Sequence, residues 1–176
     1  DMSNLRLLNE TNVSSTVTKV NVENVFSADF DIYKIVFDNF FANGQDNINL
    51  SFINSSGSEL RGSSDYAYAD LNCQTNASFT ESRDTANDDI LAFCVIGSSA
   101  GESANGVLYT FNPFLSSSYT FVNHQNSSIR ASVNQNKKGI AVLQQAVSVT
   151  GFSFFINGSN SFTSGVIRTY GLRVDS

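Results

Sequence analysis

The sequence predicts an all-β protein, an antiparallel β-sandwich of jelly-roll type with about ten short strands and little helix. Three observations predict it. Helical periodicity is nearly absent, apolar and polar residues alternate with a period of two, and clusters of Gly, Asn, Asp and Ser separate the alternating segments. Proline, which central strands exclude, occurs once, at Pro113.

The first clear strand is DIYKIVFDNFF, in which Tyr33, Ile35, Phe37 and Phe41 share one face. The letters ANGQDN follow, and their Asn-Gly pair is typical of a tight turn because both residues tolerate positive φ. The segment INLSFIN then resumes the alternation. The three segments together predict an antiparallel hairpin.

The rest of the chain follows the same pattern. ILAFCVI is a continuous apolar run, typical of a central strand buried on both faces, whereas TESRDTANDD indicates a charged turn. The other predicted strands are YAYADLNCQTNASF, VLYTF, SSSYTFV, SSIRASV, GIAVLQQAV, VTGFSFFIN and GVIRTYGLRVD. Residues 16–176 are thus predicted to form a single β-sandwich domain, and residues 1–15 an N-terminal arm. The phenylalanines expected in the core are Phe37, Phe52, Phe93, Phe154 and Phe162.

Composition restricts the function classes. A chain of 176 residues with 41% hydrophobic content can bury roughly 70% of its unfolded surface. Charged residues are only 15% and the net charge is −6, with Lys137–Lys138 as the one adjacent basic pair. Binding to nucleic acid or to an anionic membrane surface is disfavoured, because both need clustered cations. No apolar run approaches the roughly 18 residues of a membrane span.

The first ten residues, DMSNLRLLNE, lack the apolar core and small-residue cleavage pattern of a secretory signal. MSNL resembles a translation start at Met2, which leaves Asp1 without an explanation. A nearly complete chain made in a cytoplasm is therefore expected. Cys73 and Cys94 show no CxxC spacing, so they are either buried reduced thiols or a bridge across neighbouring strands.

Histidine offers the simplest test for catalytic chemistry, because His124 is the only one in the chain. It lies in FVNHQNSS, an amide-rich segment that indicates an exposed turn and contains no nucleophile motif. A zinc site would need cysteines or carboxylates to converge on it. The sequence therefore predicts a protein that is not an enzyme, with no catalytic residue, no metal and no other cofactor.

Carboxylates cluster twice, at Asp29 with Asp31 and at Asp84 with Asp88 and Asp89. A glycosidase needs two carboxylates facing across a cleft, usually beside aromatic platforms, and the chain has no Trp. DTANDD lacks the ligand order and glycine of an EF-hand loop. Both groups are expected to be solvated turns, with a structural cation as the alternative for the second.

Aromatic residues are numerous, 15 Phe and 6 Tyr, and most are expected in the core. Phe40 and Phe41 at a strand end, and Phe114 and Leu115 beside a proline, fit either the core or a contact with another chain. The candidate subunit-interface residues are Leu5, Leu7, Leu8, Phe40, Phe41, Phe114, Leu115 and Arg168. Tyr66 and Tyr68 share one strand face and are candidate glycan contacts, because tyrosine rings stack on sugars.

Arg168 lies in the terminal strand, on a face that is otherwise apolar from Val166 to Val174. A charge in this position must be paired, lie at the wet end of the strand, or face another subunit. Asp38 and Asp70 are its candidate partners within the core, and a subunit interface is the alternative.

Several segments resemble small virion proteins of tailed bacteriophages, particularly phages of marine bacteria. The matching segments are MSNLRLLNET, VFSADFDIYKIVFDN, FINSSGS, NGVLYTFNPF, VTGFSFFING and SFTSGVIRTYGLRVDS. The resemblance spans nearly the whole chain in the same order and brings no active-site residues with it. It implies a structural part of the particle, a capsid decoration (cement) or short fibre subunit acting through protein-protein contacts.

The expected partners are other virion proteins of the capsid or tail. A homo-oligomer is expected, with a trimer favoured, and the expected location is the virion, assembled in the host cytoplasm. The alternative function is a lectin-like module that binds a host-surface glycan. A third hypothesis, an enzyme such as a depolymerase, would need carboxylates that converge in a cleft.

Overall fold

The computed structural model describes residues 4–77 and 79–173. Within them β-strands are the only regular elements, and no helix occurs. The strands are β1 (Leu5–Val13), β2 (Lys19–Val22), β3 (Ile32–Ala42), β4 (Asp46–Asn54), β5 (Glu59–Leu60), β6 (Tyr66–Gln74), β7 (Thr80–Asn87), β8 (Ile90–Ile96), β9 (Ala104–Phe111), β10 (Thr120–Arg130), β11 (Val133–Leu143), β12 (Val149–Phe155) and β13 (Phe162–Leu172). In this part of the chain no helix is long and apolar enough to span a bilayer.

The strands form two sheets whose neighbours are all antiparallel. The larger sheet has eight strands in the order β1-β13-β3-β9-β10-β11-β6-β7. The smaller sheet has five, in the order β2-β12-β4-β5, with β8 also paired to β4. The predicted all-β antiparallel sandwich is confirmed, while its jelly-roll connectivity stays a prediction.

Aromatic rings between the two sheets form the core. Phe37 of the larger sheet lies with its ring centroid 5.5 Å from that of Phe154 in the smaller sheet, in an edge-to-face arrangement. Phe93 of β8 contacts both rings. Such pairs add about 0.5–1.5 kcal/mol each to the area that they bury. All five phenylalanines predicted in the core are buried.

The predicted hairpin of DIYKIVFDNFF with INLSFIN is wrong, although both strands exist as β3 and β4. β3 pairs with β13 and β9 in the larger sheet, whereas β4 pairs with β12, β5 and β8 in the smaller one. Residues 43–45 therefore cross from one sheet to the other. A turn signal shows that the chain reverses, but it does not show that the two strands share a sheet.

The segment predicted as an N-terminal arm is instead largely a strand of the larger sheet. Residues 5–13 form β1, which pairs with β13 from Leu5 opposite Leu172 to Val13 opposite Gly165. β1 is an edge strand, and most of its side chains are exposed. Its low hydrophobicity is why the pattern indicated an arm. Asp1, Met2 and Val174, to which earlier expectations refer, lie outside the described residues.

Two polar segments proved to be strand. The supposed charged turn TESRDTANDD contains β7, the exposed edge of the larger sheet. The supposed turn around His124 is the middle of β10, which runs unbroken over 11 residues. The chain reverses later, at Ala131 and Ser132, whose φ values of 54° and 63° match a two-residue hairpin turn.

Candidate interaction surface and buried charged cluster

The outer face of the larger sheet, which points away from the smaller sheet, carries an apolar row across seven strands. The residues paired along this row are Leu5, Leu172, Ile32, Phe111, Phe121, Val142 and Ala67. Phe121 is 44% exposed. One solvated face of an antiparallel sheet is usually polar, so a continuous apolar row on it is typical of a contact surface.

Two further residues widen this row towards β6. Ile140 is 61% exposed and Leu71 is 46% exposed, both on the same outer face. Phe121, Ile140 and Val142 line a shallow groove of about 540 Å³. The row together with Ile140 and Leu71 is called the outer apolar face below.

Lysine side chains border the outer apolar face at two places. Lys34 borders it beside Leu5 and Leu172, and Lys138 borders it beside Ile140 and Leu71. A polar rim around an apolar centre is the usual anatomy of a protein-protein interface.

Arg168 also lies on the outer face, where it braces three strands. Its Nε donates to Glu10 Oε2 at 2.7 Å and its Nη1 to Asp38 Oδ2 at 2.8 Å, which ties β13 to β1 and to β3. The hydrogen bond from Arg168 lowers the pKa of the Glu10 carboxyl. The predicted partner Asp38 is confirmed, but the pair lies partly exposed on the outer face and not in the core. The alternative partner Asp70 is wrong, because it lies on the opposite, inner face.

The other predicted interface residues divide by exposure. Leu5 and Leu7 on β1 and Leu115 in the loop after β9 are exposed. Three are half-buried: Leu8, which packs on the core, Phe41 and Phe114.

Phe40 does not belong to any surface, because it is fully buried and its ring contacts those of Phe154 and Phe162. The cause is an irregularity in β3, where Asn39 adopts a φ of 51° and the register with β9 shifts. The shift turns Phe40 inward in place of Phe41. Strict alternation, on which the sequence argument rested, cannot anticipate such a bulge.

The two candidate glycan contacts are likewise in the wrong place for that role. Tyr66 is fully buried, and its ring stacks on Phe52 with centroids 6.3 Å apart. Tyr68 is 6% exposed. Both tyrosines point inward from β6, so neither presents a ring on which a sugar could stack.

A charged cluster lies between the sheets, beneath β8. His124 of β10 and Asp70 of β6 are buried, with His124 Nε2 2.7 Å from Asp70 Oδ1. The contact is close but is not aligned as a hydrogen bond. Lys137 of β11 places Nζ 3.9 Å from Asp70 Oδ2. Because burial disfavours its charged form, the pKa of the Lys137 amine is lowered from its usual value.

Gly139 makes the contact between His124 and Asp70 possible. It lies opposite His124 on one side and opposite Asp70 on the other. A Cβ at this position would lie 2.3 Å from Asp70 Oδ1 and 2.6 Å from His124 Nε2. The absence of a side chain at Gly139 therefore leaves the space in which the side chains of Asp70 and His124 meet.

The cluster also satisfies backbone groups of β8. Lys137 Nζ donates to the carbonyl of Ala92 at 2.5 Å, and Asn126 Nδ2 donates to the carbonyl of Phe93 at 2.6 Å. Ala92 has a φ of 51°, and its N–H donates to Asn49 Oδ1 at 2.8 Å. Side chains of the larger sheet thus supply donors to β8 at a point where its backbone is irregular.

Cys94 of β8 is fully buried near this cluster, and burial raises the pKa of its thiol to about 12. Cys73 is half-buried, and both thiols are free. The alternative, a disulfide between the two cysteines, is therefore not observed. The prediction of buried reduced thiols holds fully for Cys94, whereas Cys73 is reduced but only partly buried.

The carboxylates of the second predicted group have separate environments. Asp89 is buried, and burial raises its pKa even though Arg61 Nη2 lies 3.0 Å from its Oδ2. The same Arg61 nitrogen contacts the more exposed Asp88 at 2.9 Å. Asp84 accepts from the backbone N–H of Ala86, and this hydrogen bond lowers its pKa. Across the described residues, no three His, Cys, Asp or Glu side chains converge as metal ligands would.

Sequence reasoning missed the buried cluster, although a signal for it exists. In NQNKKGIAV the residues at every second position, Gln135, Lys137, Gly139 and Ala141, share one face. Val122, His124, Asn126 and Ser128 of β10 do the same. Polar residues at these inward positions made the segment around His124 resemble a turn, because the alternation rule for strands assumes that inward-facing residues are apolar.

Comparison with known proteins leaves the family open. No protein-family model matches the chain, and no curated protein matches it.

Proposed function

We propose that this chain is a non-enzymatic structural protein of a bacteriophage virion, a capsid decoration or short fibre subunit that acts through protein-protein contacts. The resemblance of its strand and turn segments to small virion proteins supports the class of protein. The outer apolar face is the single observation that carries the proposal, because a subunit in a particle needs a broad contact surface.

The shape and chemistry of this face suit a permanent contact. It spans seven strands of one sheet, so it is held rigidly and loses little conformational entropy on binding. Its centre is apolar and its charges lie at the rim, beside Lys34 and Lys138. The occupant proposed for it is a second copy of this chain, within a homo-oligomer for which a trimer is favoured.

The mass of the full chain in solution tests the assembly. Light scattering behind size-exclusion chromatography should give a multiple of the 19.1 kDa chain mass. Ile140→Asp should shift it to the monomer, because a charge in the apolar centre cannot be buried without a partner. Leu91→Asp, which places the same charge on an exposed residue of β8 in the smaller sheet, is the matched control and should leave the oligomer intact.

Two results would contradict the proposal. A monomer at every concentration, unaffected by Ile140→Asp, would exclude the outer apolar face as a homotypic contact. Mass spectrometry of purified particles of the encoding phage should detect peptides of this chain. Particles without such peptides would exclude the virion role itself, whatever the oligomeric state.

A further inference from the structure

Three side chains with complementary chemistry meet beneath β8: an amine, a carboxamide and a carboxyl group. Lys137 and Asn126 are 7% and 3% exposed, and Asp70 is 5% exposed. Lys137 Nζ and Asn126 Nδ2 bind consecutive carbonyls of the same strand, those of Ala92 and Phe93. Both side chains therefore approach the same short piece of backbone.

The two strands hold Lys137 and Asn126 directly opposite each other. Side chains at opposed positions of an antiparallel pair have Cβ atoms about 4.5–5.5 Å apart. The Lys137 backbone N–H also donates to Asn126 Oδ1 at 3.4 Å, which places the carboxamide against β11. A four-carbon lysine stem is long enough to bring Nζ to the carboxamide carbon across this gap.

Burial favours the protonation state that a nucleophile requires. A lysine amine attacks only as the neutral form, and desolvation lowers the pKa of Lys137 towards that form. Phe93 packs over the cluster from β8, with its ring centroid 5.8 Å from that of His124. The site is thus shielded from water, which would otherwise compete for the carboxamide.

Asp70 is available for proton transfer. Its Oδ2 lies 3.9 Å from Lys137 Nζ, and neither of its oxygens has an aligned hydrogen-bond donor among the described residues. His124 Nε2 lies 2.7 Å from Oδ1 without hydrogen-bond alignment. A buried carboxyl without a committed donor is unusual, because such groups are nearly always hydrogen-bonded.

We propose that Lys137 and Asn126 are joined by an intramolecular isopeptide bond that forms in the folded chain. Lys137 Nζ attacks Asn126 Cγ, the new Nζ–Cγ bond forms, and the Cγ–Nδ2 bond breaks. Asp70 accepts a proton from Nζ and returns it to Nδ2, which leaves as ammonia. No oxidation state changes and no co-reactant is consumed.

The bond would lock the β10–β11 hairpin at the centre of the larger sheet. It would also convert the buried Lys137 amine into an amide, which does not take up a proton and so avoids the cost of burying a cation. A structural subunit would gain resistance to unfolding from such a bond, but the chemistry stands apart from the proposed virion role.

The intact mass of the purified full chain is the first test. Loss of one ammonia should make the wild-type chain lighter than its sequence mass by about 17 Da. The difference should persist in denaturant, because the bond is covalent. Lys137→Met, Asn126→Ala and Asp70→Ala should each restore the full mass, whereas Lys138→Met, the exposed neighbour, should keep the loss.

Peptide mapping is the second test, because an asparagine can also lose ammonia by closing a succinimide on its own backbone. Digestion should yield one branched peptide that joins a fragment containing Lys137 to a fragment containing Asn126. An unmodified wild-type mass would overturn the proposal. A branch at Asn72, the other register neighbour of Lys137, or loss of ammonia without any branch would overturn it as well.

Discussion

At the level of single residues, two buried tyrosines fix backbone groups through their hydroxyls. Tyr66 accepts from the Phe52 N–H at 2.8 Å and donates to the Leu60 carbonyl at 2.9 Å. Tyr33 makes the same pair of contacts with the backbone of Ser27. Each ring fills the core while its hydroxyl forms hydrogen bonds with backbone groups. A phenylalanine would fill the same space but would leave those groups without a partner.

Tyr66→Phe should lower the free energy of unfolding by about 1–3 kcal/mol, because the buried Phe52 N–H loses its acceptor. Chemical denaturation at neutral pH measures this change. The matched control is Tyr119→Phe, whose side chain is 45% exposed and should show a change near zero. Equal effects of the two substitutions would contradict the structural role of the Tyr66 hydroxyl.

The alkaline limit of stability should also depend on Tyr66. Burial raises its folded-state pKa above the ordinary value of 10.0. A group with a raised folded pKa contributes stability that is complete below pH 10.0 and is lost as pH rises through the folded pKa. Unfolding free energy should therefore fall above pH 10, and less steeply in Tyr66→Phe. An identical slope in both proteins would refute this assignment.

Arg168→Ala should weaken the fold slightly at low salt, because it removes the brace between Glu10 and Asp38. The Glu10 pKa is lowered in the folded state, so this contribution is present above the unfolded pKa of a glutamate and is lost as pH falls through the folded value. Thermal melts at low and high salt measure it. Arg83→Ala, on a largely exposed arginine, should show no salt-dependent change.

The sequence correctly predicted the location of apolar residues that lie in apolar surroundings. The apolar Phe37 and Phe154 follow alternation into the core. For Arg168 the sequence offered Asp38 and Asp70 as partners without deciding between them, and it did not indicate Glu10. His124 could not be placed, because its inward position is explained only by Asp70, a residue 54 positions away (124 minus 70) on another strand. Long-range pairing of polar groups leaves no local pattern.

At the level of elements, β6, β11 and β10 share a row in which Asp70, Gly139 and His124 are neighbours. Glycine normally weakens a strand, but a side chain at Gly139 would collide with the side chains of both Asp70 and His124. The sequence shows a glycine in a strand and thus a close approach or a bulge. Only the register shows what approaches it.

Gly139→Ala should destabilise the chain by about 1–3 kcal/mol, the usual cost of forcing extra atoms into a packed core. Denaturant unfolding monitored by circular dichroism measures the loss. Lys138→Ala, which alters the exposed neighbour on the same strand, should have little effect. If Gly139→Ala were neutral, the His124–Asp70 contact could not be as close as 2.7 Å.

Pairing between elements was the least predictable feature. The segments that became β3, β4 and β8 are clear from their apolar letters, yet the sheet to which each belongs depends on partners far along the chain. β3 pairs with β13, more than a hundred residues later. A turn signal such as Asn43-Gly44 constrains only the local reversal, so strands are predictable here and their order is not.

At the level of the whole molecule, the two ends of the chain meet in one sheet. β13 lies between β1 and β3, and Phe162 and Ile167 of β13 are fully buried. β1 adds little to the core beyond Val13. The two terminal strands therefore have unequal importance, although they pair with each other from Leu5 opposite Leu172 to Val13 opposite Gly165.

Paired truncations should reveal this inequality. Removing residues 1–13 should leave a cooperatively folding chain of lower stability, because it loses one buried valine worth about 1.5–3 kcal/mol. It should also aggregate more readily, since the edge of β13 is exposed. Ending the chain at residue 161 should abolish the cooperative transition, because it removes two large core side chains and the strand that links β1 to β3. Their contribution is large compared with a typical free energy of unfolding of about 5–15 kcal/mol. Circular dichroism melts of both variants would decide it, and equal loss of structure in the two would show that β1 is as essential as β13.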